Sequence, residues 1–178
     1  MRKEIIIAGF GGQGVMSIGK NLVEAGAKEG LEVTWVPSYG PEMRGGTANC
    51  SVILSDTRIG TPLVEHPTEL IAMNRPSLAK FQDDVQEGGM IFINSNTIED
   101  KVERTDLKAF YIPCDEIADK LGNSKVSNTV MLGAYIGATE AVEFSTVEEI
   151  LRHIFESKGE AVLALNMEAL KKGMECVK

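Results

Sequence analysis

The chain has 178 residues, 43% hydrophobic and 25% charged, with 18 basic and 26 acidic side chains and a net charge of −8. Such a chain is too apolar for general disorder and too acidic to favour nucleic acid, and its length suits one α/β domain spanning residues 1–178. The three widely spaced cysteines offer no CxxC pair, no apolar run reaches the ~18 residues of a membrane span, and the opening MRKEIIIAGFGG is too short in apolar residues for a signal peptide; a cytoplasmic location without membrane contact is expected.

Residues 4–8 form a short isoleucine-rich run ended by glycines, the pattern of a strand buried on both faces. Val15, Ile18, Leu22 and Ala25 then recur at helical spacing until Gly30 supplies a stop, and residues 31–36 return to strand character, which predicts a right-handed βαβ unit. Residues 37–46, PSYGPEMRGG, combine two prolines with three glycines and predict a loop. Strands are predicted at 47–54, 69–73, 90–94 and 109–113, a short antiparallel or edge segment at 58–63, and a helix over 76–86. From Asp115 onward the pattern is helical, with Ser145-Thr-Val-Glu148 as a capping-box signature before the stripe Val147, Ile150, Leu151, Ile154, Phe155. The predicted class is α/β and Rossmann-like: a mostly parallel sheet of six or so strands flanked by helices, with a helical C-terminal third.

Gly9-Phe-Gly11-Gly12-Gln13-Gly14 contains a complete GxGxxG between a predicted strand and helix, the context in which glycines bring backbone amides and a helix N-terminus close to a phosphate. The alternative is that these glycines serve only tight helix-on-strand packing. A nicotinamide site would need an acid at the end of the second strand; that strand ends Trp35-Val36-Pro37-Ser38, and the nearest acid, Glu42, lies in the Pro/Gly loop. A P-loop reading of Gly14-VMSI-Gly19-Lys20 is contradicted by Asn21, which replaces the magnesium-binding hydroxyl, and by Val15 and Ile18 on a buried helical stripe.

The second constellation, Tyr39-Gly-Pro-Glu-Met-Arg44-Gly45-Gly46-Thr47, begins at the end of the second strand, so both loops are predicted to line one crevice. Arg44 beside paired glycines suits a diphosphate or carboxylate; a salt bridge to Glu42 or to a neighbouring subunit is the other reading. His66 and His153 are isolated, and no GxSxG, HExxH or Cys/His nucleophile pattern occurs, so the chain shows no catalytic residues of its own.

The run IIIAGFGGQGVMSIGKNL, followed by VPSYGPEMRGGTANCSVILSD and later SNTVMLGAYIGA, resembles the gamma subunit of 2-oxoacid:ferredoxin oxidoreductases over nearly the whole chain, and the YGPEMRGGTANC block most resembles the 2-oxoglutarate and branched-chain members (pyruvate/ketoisovalerate oxidoreductase gamma family). The resemblance implies one subunit of a cytoplasmic heterotetramer (EC 1.2.7 type), with alpha, beta and ferredoxin-like delta partners. Such complexes decarboxylate a 2-oxoacid on thiamine diphosphate, pass electrons through [4Fe–4S] clusters to ferredoxin, and release acyl-CoA. It further implies that this chain binds none of these cofactors by itself, is inactive alone, and supplies scaffold and part of the CoA site. Carried onto this sequence, the positions implied to face CoA are Gly9, Gly11, Gly12, Gln13, Gly14, Arg44, Gly45, Gly46 and Thr47. The reading of another class is a stand-alone small Rossmann-type dinucleotide- or flavin-binding oxidoreductase. Self-association of the isolated chain is left open.

Overall fold

The computed structural model describes residues 1–39 and 46–178. Six strands form one sheet: β1 (Arg2–Phe10), β2 (Glu32–Tyr39), β3 (Thr47–Ser55), β4 (Glu69–Ala72), β5 (Met90–Asn94) and β6 (Lys108–Ile112), in the spatial order β2-β3-β1-β4-β5-β6. The pairs β1·β4, β4·β5 and β5·β6 are parallel, while β3 runs antiparallel to both neighbours, β1 and β2. The mostly parallel sheet and helical C-terminal third agree with the sequence reading. The predicted βαβ unit acquires an inserted strand: β1 and β2 share a direction, but β3 lies between them.

Strand alternation sorts the side chains onto two faces. On one face Ile5, Ile7, Ile71 and Phe92 meet Val15, Ile18 and Leu22 of α1 (Val15–Lys28) together with the C-terminal helices. These are α3 (Cys114–Leu121), α4 (Ser127–Thr139), α5 (Phe144–Phe155) and α6 (Glu160–Glu175). On the other face Ile6, Ala8, Leu70, Ala72, Ile91 and Ile93 meet Leu78 of α2 (Arg75–Phe81), with Val85 and Ile98 from the flanking turns. α1 leads from β1 toward β2 at one side of the sheet and α2 leads from β4 to β5 at the other, so the chain changes direction between β1 and β4. In open α/β sheets, ligands collect in the crevice at the carboxyl ends of the strands beside that switch point.

Four local expectations are corrected. Residues 58–63 pair with no strand; Gly60 and Pro62, which lack a side chain and a backbone donor respectively, interrupt the alternation, and the segment is irregular. The 76–86 helix is shorter, ending at Phe81 before a 3-10 turn over Gln82–Asp84. Ser145 caps nothing, because α5 begins at Phe144 with Glu143 as its N-cap. The Glu143 amide is held by Glu29 Oε1 at 2.7 Å, and Phe144 packs against the core, a tertiary anchor that outweighs the local Ser145 signature. β2 also runs on through Pro37 to Tyr39, beyond the predicted limit at Val36, which an edge strand tolerates because its outward amides need no ladder partner.

Candidate functional site

β1 emerges at its carboxyl end into the glycine loop, where two residues adopt the left-handed backbone that favours glycine: Gly12 with φ of 94° and Gly14 with φ of 77°. Gly14 is the N-cap of α1, whose first turn carries no acidic residue and no side-chain cap. Among the described residues, the amides of Gly12, Gly14, Val15, Met16 and Ser17 find no hydrogen-bond acceptor. Together with the positive end of the helix dipole they form a cradle for an anion.

The cradle opens into a cleft of about 320 Å³ lined by Phe10, Gly11, Gly12, Val15 to Ser17, Tyr39 and Ala48. No charged side chain is among those lining residues, so the attraction the described cleft offers an anion comes from backbone dipoles. Among the described residues, a Cβ on Gly12 would meet nothing within 4 Å.

The remaining motif residues divide by role. Gln13 is a buckle: its Oε1 accepts the Phe10 amide at 2.7 Å and its Nε2 donates to the Met73 carbonyl at 3.0 Å, joining the ends of β1 and β4 at the switch point. Gly9 leaves room for that buckle, since a Cβ there would come 2.6 Å from Gln13 Oε1. The Gly11 amide donates to the Gly46 carbonyl at 2.8 Å. That bond ties the glycine loop to Gly46, so the described end of the second motif lies beside the first. Thr47 opens β3 opposite Phe10 and is exposed. Arg44 and Gly45 lie outside the described residues.

Tyr39 of the second constellation takes its expected place in the crevice, and two further contributors, Met16 and Asn128, were not singled out from the sequence. Tyr39 and Met16 line the cleft. Asn128 at the start of α4 donates from Nδ2 to the Gly14 carbonyl at 3.4 Å, and a Cβ on Gly14 would overlap its carboxamide. A lone carboxamide ahead of the apolar run of α4 is the signal that could have pointed to it. Beneath the cradle, Cys50 Sγ donates to the Val15 carbonyl at 3.6 Å, and burial pushes its thiol up to about 12, an effect the adjacent Trp35 indole partly offsets. Burial also raises the Cys114 thiol. Thiols held protonated in the core are unsuited as cluster ligands, so no cluster chemistry is assigned to them. Lys20, the residue a P-loop would aim at phosphate, lies 5.1 Å from the Trp35 ring centroid.

The chain matches the family described as pyruvate ferredoxin/flavodoxin oxidoreductase over residues 4–176. It is 42% identical over 171 residues to the ketoisovalerate oxidoreductase subunit VorA of Methanothermobacter thermautotrophicus, covering 95% of this chain and 35% of that relative. It is 39% identical over 160 residues to the 2-oxoglutarate synthase subunit KorC of Methanothermobacter marburgensis, covering 86% of each. The chain thus spans about a third of the length of its VorA relatives and most of KorC. Among solved structures, the 2-oxoglutarate:ferredoxin oxidoreductase of Magnetococcus marinus, with 2-oxoglutarate, coenzyme A and succinyl-CoA bound, superposes with a TM-score of 0.92 at 28% identity, over 99% of this chain and 31% of that one. A keto/oxoacid ferredoxin oxidoreductase gamma subunit from Geobacter sulfurreducens superposes with a TM-score of 0.81 at 28% identity, over 98% of each chain. With a glycine cradle at the carboxyl end of β1 and a family match that runs from Glu4 to Cys176, the chain belongs to the pyruvate ferredoxin/flavodoxin oxidoreductase family.

Proposed function

We propose that this chain is the gamma-type subunit of a cytoplasmic 2-oxoacid:ferredoxin oxidoreductase, forms one domain over residues 1–178, and acts with alpha, beta and ferredoxin-like delta partners on 2-oxoglutarate or a branched-chain 2-oxoacid. The reaction decarboxylates the oxoacid, transfers the acyl group to the CoA thiol and delivers two electrons to ferredoxin. In this reading thiamine diphosphate supplies the electron sink for decarboxylation, and it and the clusters belong to partner chains. This chain's part is to grip CoA. The amides of Gly12 and of Gly14 to Ser17, which find no acceptor among the described residues, support this reading most directly, because a CoA diphosphate is the kind of anion such a cradle stabilises. Arg44, Gly45, Gly46 and Thr47 on the adjoining loop complete the proposed phosphate wall.

Gly12 offers a controlled test, since asparagine and aspartate both tolerate a left-handed backbone and a Cβ there meets none of the described residues within 4 Å. Gly12→Asn probes bulk and Gly12→Asp adds a charge of the same shape. In the assembled complex, kcat/KM for CoA is expected to fall at least about 10-fold further for Gly12→Asp than for Gly12→Asn, while CoA-independent decarboxylation stays within about twofold of the parent. Equal values for the two variants would remove CoA phosphate from the cradle.

A further inference from the structure

β1 and β4 are parallel, and their register carries one step past Ala72: the Met73 amide donates to the Ala8 carbonyl at 2.9 Å. The next rung of a parallel ladder would run from the Phe10 amide to the Met73 carbonyl. The Gln13 carboxamide stands in its place, accepting from the Phe10 amide through Oε1 and donating to the Met73 carbonyl through Nε2. At the point where the sheet changes direction, the two strand ends are thus bridged by a side chain instead of pairing directly. Gln13 lies between Gly12 and Gly14, the two residues of the loop with a left-handed backbone, so the anchored side chain fixes the segment that presents their amides.

The carbonyl that receives Gln13 has a second side-chain partner. Its oxygen also accepts from the Thr97 hydroxyl at 2.7 Å, which fills the second lone pair and sets the direction in which the first is offered. Thr97 is a fixed post. It closes the turn after β5, where its own amide and that of Ile98 both donate to the Asn94 carbonyl. The same turn is tied to the first turn of α3: Asn94 Nδ2 donates to Asp115 Oδ2 at 3.2 Å, and Asn96 Oδ1 accepts from the Glu116 amide at 3.0 Å. Thr97 is not among the residues that line the glycine cleft, so its link to the loop runs through the Met73 carbonyl and Gln13.

We infer that Thr97 is a positioning residue for the anion cradle: its hydroxyl aims the Met73 carbonyl at Gln13, and Gln13 holds the glycine loop in the shape that presents the Gly12 and Gly14 amides to an anion. The inference rests on the CoA reading above. Without the hydroxyl the carbonyl turns more freely and the Gln13 donor loses its fixed acceptor. The loop then samples shapes in which its amides no longer converge, and the anion must order them as it binds. Serine supports the same relay, whereas valine, which has the shape of threonine without its hydroxyl, does not.

The test is a double-mutant cycle in the assembled oxidoreductase: parent, Thr97→Val, Gln13→Ala and the double variant, with Thr97→Ser as the conservative control, each assayed for KM with CoA and with the 2-oxoacid. Thr97 is exposed at its turn, so the substitutions leave the core intact. Thr97→Val is expected to raise KM for CoA about 3- to 10-fold, the worth of one neutral hydrogen bond, while Thr97→Ser stays within about twofold of the parent. KM for the 2-oxoacid should not follow, since a general loosening would move both. In the Gln13→Ala background Thr97→Val should add less than about twofold, because the relay is already cut. No rise with Thr97→Val, an equal rise with Thr97→Ser, a rise in KM for both substrates, or effects that multiply in the double variant would each overturn the assignment. Gly12→Asp separates it from the underlying reading. If Gly12→Asp weakens CoA beyond Gly12→Asn while the Thr97 cycle shows no coupling, the cradle stands and the relay fails; if the two Gly12 variants are equal, the CoA reading fails and the relay with it.

Discussion

Gln13 shows how one side chain in a ligand-like motif serves the scaffold. Its carboxamide satisfies one donor and one acceptor at the ends of two parallel strands, so its loss should be felt without any ligand. Gln13→Ala is expected to lower the stability of the isolated chain by about 1–2 kcal/mol in urea unfolding. Gln13→Glu keeps the acceptor for Phe10 but, when ionised, turns a second carboxylate oxygen toward the Met73 carbonyl. Protonation restores the donor, so the folded state binds that proton more tightly than the unfolded chain. The stability deficit of Gln13→Glu should therefore be small at about pH 4 and grow as pH rises to 7. A pH-independent deficit would contradict the buckle geometry. The cysteines give a second check at this scale. Cys50 and Cys114 are buried with raised thiols, and Cys176 is exposed at the end of α6. A thiol reagent at neutral pH should modify one cysteine per folded chain and three after denaturation; modification of two or more in the folded chain would contradict that burial.

Among the elements, α4 and α6 are held unusually close by glycines. A Cβ on Gly173 would overlap the Val130 carbonyl oxygen, and a Cβ on Gly133 would overlap that of Leu170, so each helix has a notch for the other's backbone. Gly173→Ala should force the pair apart and cost about 1–3 kcal/mol or more, read as a fall in the midpoint of denaturant unfolding. An unchanged midpoint would show that the crossing yields easily. The same elements show what could be read from sequence. β1, α1 and β5 were legible because buried parallel strands and amphipathic helices write their periods locally. The insertion of β3 between β1 and β2 was not, since a strand's neighbour is set by long-range pairing that no local period records. Ser145 was misread for a related reason: Phe144 and Glu143 are anchored by contacts from distant parts of the chain. At the site, the glycines and the meeting of the two loops were legible, but which amides remain available was not. Gly11 and Gln13 are spent on Gly46, Phe10 and Met73, and only the fold reveals that Gly12 and the first turn of α1 are left over.

For the whole molecule, the chain has a sheet whose direction changes between β1 and β4 and an anion cradle at that point. The central claim is that CoA phosphates rest on the amides at the α1 N-terminus. Hydrogen exchange of residues 12–17 in the assembled complex tests it most directly, because the amides of Gly12 and of Gly14 to Ser17 find no acceptor among the described residues and are expected to exchange readily until a ligand accepts from them. Addition of CoA is expected to slow exchange in this segment at least about 10-fold, whereas the 2-oxoacid alone leaves it unchanged. Exchange in residues 12–17 that is indifferent to saturating CoA would contradict the account.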